Sequence, residues 1–126
     1  MREEIGDLWG NCGIDSQYKP LKSVLLHRPG PEIGELVDPD EAQMLDIPDT
    51  EIASKQHDTL AQGFKEEGVK VHYVDPLGVP TPNQMFVADL MFMTPEGAIV
   101  ARPASTVRAG EERWVARKLA DLGIPI

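Results

Sequence analysis

An aspartate inside an otherwise apolar run is the most chemically pointed feature of this sequence. Asp89 lies within Phe86-Val87-Ala88-Asp89-Leu90-Met91-Phe92-Met93, where its neighbours demand burial. A carboxylate in such a run must be paired or hydrogen-bonded, because an unsatisfied buried charge costs several kcal/mol. The readings open at this point are a strand wetted at one position, an aspartate capping a local turn, and a functional carboxylate. On a straight strand Phe86 and Asp89 have opposite parity and point to opposite faces. For both to touch one ligand, residues 83–88 must form a turn, with the strand starting near Asp89. The preceding Thr81-Pro82-Asn83 suits a turn, since asparagine offers its own backbone local hydrogen bonds. Arg108 stands between two elements, where a guanidinium either reaches inward over a sheet end or lies on the surface as an ordinary arginine. Arg28 and Arg102, each followed by proline, read as structural residues.

The other reactive residue types carry weaker signals. Cys12, in Asn11-Cys12-Gly13, has no base beside it to lower its pKa, and a nucleophilic thiol needs one. His27 and His72 lie in strand-like segments, and His57 sits beside Asp58 on a helical pattern; none shows metal-ligand spacing with a partner. No phosphate-binding loop, dinucleotide fingerprint or nucleophile elbow is present. The sequence therefore points to neither a metal nor a cofactor.

Several elements must position these residues. Lys22–Arg28 reads as a short strand stopped by Pro29-Gly30-Pro31. A helix is predicted from Asp49-Thr50 to Glu67, with Ile52, Gln56, Thr59, Leu60, Gly63 and Phe64 forming one partly apolar stripe and Gly68 its stop. Val69–Val74 alternates as a strand with one buried face. After the proline-punctuated loop from Pro76 to Pro82, the run to Thr94, the turn Pro95-Glu96-Gly97 and Ala98–Arg102 read as a hairpin. A second helix is predicted from about Ala109 to Leu122, with Trp114, Val115, Leu119 and Leu122 inward. Gly123 ends it, and Ile124–Ile126 begins another strand.

The two halves resemble each other. Val24-Leu25-Leu26-His27-Arg28-Pro29 corresponds to Ala98-Ile99-Val100-Ala101-Arg102-Pro103, and Gly68-Val69-Lys70-Val71 to Gly123-Ile124-Pro125-Ile126. Each half runs strand, Arg-Pro, loop, helix, glycine, strand. Repeat units bury their faces against neighbours, so two units alone, roughly 20–75 and 83–126, read as part of a larger repeat fold.

With 126 residues, the chain is long enough for one core without disulfide or metal support. Its single cysteine excludes an internal disulfide framework. Acids outnumber bases by 21 to 12, for a net charge of −9, which argues against nucleic acid or an anionic membrane as partner. No apolar run reaches the length of a membrane span, and the N-terminus is acidic where a secretory signal starts basic. A soluble, cytoplasmic protein is the expectation. Much of the charge lies in one segment: Glu32, Glu35, Asp38, Asp40, Glu41, Asp46, Asp49 and Glu51 fall between Arg28 and Lys55 with no base among them. This is either a solvated loop feeding acids into a helix start or an acidic rim that draws in a cation.

Taken together, these motifs resemble a known family. Pro82-Asn83-Gln84-Met85-Phe86-Val87-Ala88-Asp89 is similar to the Pro-Asn-x-x-Phe-x-x-Asp motif of arginine deiminases and their guanidine-modifying relatives, the amidinotransferases, dimethylarginine dimethylaminohydrolases and agmatine deiminases. Leu26-His27-Arg28-Pro29-Gly30 resembles the opening strand and turn of arginine deiminase. Asp46-Ile47-Pro48 with Lys55-Gln56-His57-Asp58, then Ala101-Arg102-Pro103, Arg108 and Glu111, continue the match from about Pro20 to Ile126. Val87-Ala88 stands where arginine deiminases have Thr-Arg.

The resemblance implies an α/β (α+β) fold of repeated ββαβ units, about two of the five in a pentein α/β-propeller, with this chain as the N-terminal portion. It implies that Asp89 clamps a substrate guanidinium, Phe86 packs against it, and Asn83 and Arg108 hold the α-carboxylate of an arginine-like substrate. The family's chemistry, hydrolase or amidinotransferase, uses a cysteine nucleophile and a His-x-Asp/Glu element. The cysteine attacks the guanidinium carbon to give a covalent amidino intermediate, the histidine passes protons, and water or an amine resolves the intermediate. Neither element is in this sequence, so the chain alone is expected to be inactive, with no catalytic residue of its own. The expected partners are a small guanidine substrate and either further copies of the chain or a second chain completing the fold. The alternatives are a non-catalytic guanidine-binding module and an inactive remnant.

Overall fold

The computed structural model describes residues 2–126. Its fold is mixed α/β, with two separate two-stranded sheets. In the first half β1 (Ser23–Leu26) pairs in parallel with β2 (Lys70–Tyr73), with Val24 opposite Val71 and Leu26 opposite Tyr73. Between them come a one-turn helix α1 (Pro31–Gly34), a 3-10 turn (Pro39–Ala42) and the long helix α2 (Thr50–Glu66). In the second half β3 (Met91–Thr94) and β4 (Gly97–Val100) form an antiparallel hairpin, followed by a 3-10 turn (Thr106–Arg108) and helix α3 (Glu112–Asp121).

The long helix starts and stops for local reasons. The Asp49 carboxylate accepts from the Ile52 N–H at 2.8 Å and caps the first turn. At the other end Gly68 takes φ +78°, and the Gly68 and Val69 N–H groups donate back to Lys65 and Phe64. Helix α3 ends with the same pair of bonds, Gly123 to Ala120 and Ile124 to Leu119, with Gly123 at φ +70°. Both are Schellman endings, which favour glycine because its φ is positive.

The sequence expectation for α2 fails on its face. Ile52, Gln56, Thr59, Leu60 and Gly63 lie towards solvent, and its buried residues are Ser54 and Ala61. Small residues face inward because the helix sits close to the turn after β1, where the Ser54 hydroxyl donates to the Pro29 carbonyl at 2.8 Å. Periodicity located a stripe, but the side that packs is the one that allows close approach.

Residues 124–126 form no registered strand, although they lie beside β4. The Ala98 N–H donates to the Pro125 carbonyl at 2.9 Å. Proline occupies the place that Lys70 holds in β2, where the Lys70 N–H donates to the Lys22 carbonyl. Without an N–H on Pro125 that bond has no counterpart in the second half. Beside this segment the Gly10 N–H donates to the Gly123 carbonyl at 2.7 Å. Gly10 packs so tightly on the Leu122 carbonyl that a Cβ there would overlap it.

One apolar core joins the halves. Val74, Val87, Leu90, Ala98, Val115 and Leu119 are buried together, with Leu25, Met91, Met93, Val100, Trp114 and Ile124 packed around them. Leu90 at its centre has no exposed surface. This core fixes the end of β2, the turn before β3, and the start of α3 relative to one another.

Candidate binding site around Arg108

Two consecutive 3-10 turns, Pro82–Met85 and Val87–Asp89, occupy the stretch where parity required a turn. They bring Phe86 and Asp89 to one side, and β3 begins immediately after, at Met91. The Phe86 N–H donates to the Asn83 carbonyl at 3.0 Å and the Asp89 N–H to the Phe86 carbonyl at 3.2 Å. Val87 between them is buried, so its side chain pins the double turn to the core.

Arg108 enters from the other side, at the end of the turn before α3. Its side chain is only 15% exposed. Its Nη1 donates to Asp89 Oδ2 at 2.7 Å, and its Nη2 to the carbonyls of Asn83 (3.3 Å) and Phe86 (3.2 Å). The Phe86 ring centre lies 5.9 Å from the guanidinium carbon, within cation–π range. All four residues singled out in the sequence therefore meet at one guanidinium.

Their side chains are not equally accessible. Asp89 is 60% exposed in its side chain, and Phe86 is also exposed. Asn83 is buried, and its side-chain amide donates to the Ala42 carbonyl at 2.7 Å, tying the acidic segment to the site. The Asn83 side chain thus holds a loop in this structure, while its main-chain carbonyl faces Arg108.

Glu111, quoted above only for the resemblance, turns out to be the buried partner of Arg108. Its side chain has no exposed surface. Oε2 accepts from Arg108 Nε at 2.9 Å and lies 2.8 Å from Nη2, and Oε1 accepts from the Thr81 hydroxyl at 2.5 Å. Its main-chain carbonyl accepts from Gln84 Nε2 at 3.4 Å. The signal available in the sequence was Arg108-x-x-Glu111, a spacing at which helical or near-helical side chains meet. Burial of the Arg108 guanidinium works to lower its pKa, but hydrogen bonds and charge from Glu111 and Asp89 outweigh it and raise the pKa above the ordinary value.

The remaining candidates sit apart from this cluster. His27 is buried, with an Nδ1 that has no partner among the described residues; burial pushes its pKa down, Glu32 and Glu111 oppose the shift, and His57 adds to it. His57 is likewise shifted down by burial, beside the exposed Arg28–Asp58 ion pair. Partial burial raises the Cys12 pKa, which disfavours a thiolate. Among the described residues no group of three or more His, Cys, Asp or Glu is placed to hold a metal ion, and no helix is long and apolar enough to cross a membrane. Two open hollows, about 170 Å³ beside Gly97 and Pro125 and about 540 Å³ along α2 at Gly63, are lined by other residues. The cluster itself is an open, charged surface rather than an enclosed cavity.

Comparison with known proteins agrees with the resemblance. No protein-family model matches the chain. Arginine deiminases of Staphylococcus aureus strains JH9, Newman and COL are each 40% identical to it over 90 residues, which is 65% of this chain and 22% of theirs. The chain therefore spans roughly a fifth of the length of these curated relatives. Among solved structures, a dimethylarginine dimethylaminohydrolase crystallised as an adduct with S-methyl-L-thiocitrulline superposes with a TM-score of 0.67 at 22% identity. That match covers 82% of this chain and 39% of the other. At this identity the likeness speaks to the fold, and the deiminases supply the sequence kinship. Over those 90 residues the chain is a homologue of part of an arginine deiminase.

Proposed function

We propose that this chain supplies the substrate-holding part of an active site that works on the guanidinium group of arginine or a close relative. In this reading its two units, 20–75 and 83–126, are two of five around a central site. Asp89 clamps the substrate guanidinium, Phe86 packs on its flat face, and Arg108 meets the α-carboxylate, joined by Asn83 once its amide leaves the Ala42 carbonyl. The cysteine nucleophile and the proton-passing histidine come from outside these 126 residues, from further sequence or from a second chain in a soluble, cytoplasmic assembly. The observation that carries the reading is the convergence of Asn83, Phe86 and Asp89 on Arg108. It places an exposed carboxylate, an aromatic face and an arginine within one side-chain length. That combination suits a planar cation bearing a carboxylate.

The competing reading is a guanidine binder with no chemistry of its own. Calorimetry with arginine decides whether the site binds at all. Heat of binding that Asp89→Ala abolishes is expected, and no binding at millimolar arginine overturns the assignment. Mixing the chain with a polypeptide that carries the missing cysteine and histidine then separates the two readings. Release of citrulline supports the enzyme, and arginine binding without turnover in any such mixture leaves the binder.

A further inference from the structure

The charges around Arg108 do not cancel, and the imbalance is organised. One guanidinium faces two carboxylates, one wholly buried and one exposed. Glu111 takes the Nε/Nη2 edge of Arg108 with Oε2 and anchors its other oxygen on the Thr81 hydroxyl. The Asn83 and Phe86 carbonyls take the Nη2 hydrogens. Asp89 receives only an Nη1–H, on Oδ2, and no hydrogen bond to its Oδ1 is made by the described residues.

We propose that Glu111 is the positioning residue of this site. It fixes the plane of the Arg108 guanidinium, and by neutralising that charge from inside the protein it leaves the Asp89 carboxylate uncompensated on the outside. This rests on the reading of Asp89 as a guanidinium clamp. Without a buried counter-charge, Arg108 and Asp89 neutralise each other, and an incoming cation finds a closed ion pair. With it, the cluster of one cation and two anions carries a net single negative charge, displayed where the surface is open. Glu111 touches no ligand in this arrangement and acts entirely through Arg108.

Geometry supports this division of labour over a merely structural role. Both oxygens of Glu111 have donors, so the carboxylate cannot rotate away from Arg108 without losing Thr81. Its main-chain carbonyl also receives Gln84, a wholly buried residue of the same double turn that carries Phe86 and Asp89. Glu111 thereby sets the distance between the turn that presents the anion and the arginine that faces it. Because the Glu111 carboxylate is buried and screened little by water, its charge is felt at Asp89 more strongly than a surface residue's would be.

Glu111→Gln keeps the shape and removes the charge. The test follows the amide resonances of the whole chain while methylguanidinium chloride and, separately, sodium acetate are added at constant ionic strength. The expected result is affinity for methylguanidinium about five- to tenfold weaker than wild type, together with affinity for acetate stronger by a similar factor. Glu111→Asp should recover the preference for the cation. Thr81→Val removes one hydrogen bond and no charge, so it should lower stability without altering the cation-to-anion ratio. A purely structural Glu111 would weaken both ligands together or leave both unchanged, and either result overturns the proposal. If wild type fails to bind methylguanidinium while Glu111→Gln still gains acetate affinity, the clamp assigned to Asp89 falls and the charge-neutralising role of Glu111 stands.

Discussion

Removing Arg108 should expose how differently its two carboxylate partners are built. In Arg108→Met, Glu111 keeps the Thr81 hydroxyl as its one side-chain donor while its carboxylate remains without exposed surface. Breaking a buried ion pair from one side costs about 3–5 kcal/mol, because the surviving charge stays desolvated. The Asp89 contact is worth far less, since an ion pair whose carboxylate is 60% exposed contributes roughly 0–1 kcal/mol. Arg108→Met is therefore expected to lose about 3–5 kcal/mol, against less than about 1 kcal/mol for Asp89→Asn. Adding Glu111→Gln to Arg108→Met removes the stranded charge and should restore about 2 kcal/mol, a coupling typical of residues in direct contact. Arg108→Lys, which keeps the charge but not the planar fork, should fall between wild type and the methionine variant. Urea unfolding followed by far-ultraviolet circular dichroism reads all five proteins. A double variant no more stable than Arg108→Met, or an Asp89→Asn loss as large as that of Arg108→Met, refutes this.

Other expectations follow from burial and protonation. His27 and His57 have folded pKa values held below the ordinary 6.5, so the folded chain binds fewer protons than the unfolded one. Their contribution to stability is complete above about pH 6.5 and is lost as pH falls towards their depressed values, by at most about 1.4 kcal/mol per pH unit for each. Thermal midpoints between pH 7.5 and 5.5 should decline on this pattern and decline less in His27→Gln; an unchanged slope in that variant counts against it. Leu90→Ala should cost about 2–5 kcal/mol, whereas Leu60→Ala, at a position 51% exposed, should stay within about 0.5 kcal/mol. The reverse order would show that α2 packs on its other face.

Much of the frame was legible because it depends on local chemistry. Asp49 and Gly68 bound α2 through hydrogen bonds made within a few residues, and proline and glycine punctuate the hairpin in the same way. The double turn before β3 followed from the parity of Phe86 and Asp89 once both were assumed to share a ligand. What escaped detection depends on contacts between distant segments. Ser54 packs inward because of a carbonyl at Pro29, and no periodicity within α2 reports that. Asn83 holds Ala42, a partner 41 residues away. Glu111 looks like any surface acid in a charged helix start until Thr81, Gln84 and Arg108 close around it. Buried polar residues are selected by partners through space, and a single sequence does not display those partners.

The two halves differ at one matched rung. Lys70 donates its N–H to the Lys22 carbonyl, while Pro125, in the corresponding place, has no N–H to give. The Ala98 to Pro125 bond therefore lacks the neighbour that flanks its counterpart in the first sheet, and local opening there breaks one bond fewer. In deuterated solvent the Ala98 amide should exchange before those of Lys70 and Val74, which donate across the first sheet. One imino acid thus sets the order in which two similar seams loosen, at a distance from the turn that carries Asp89.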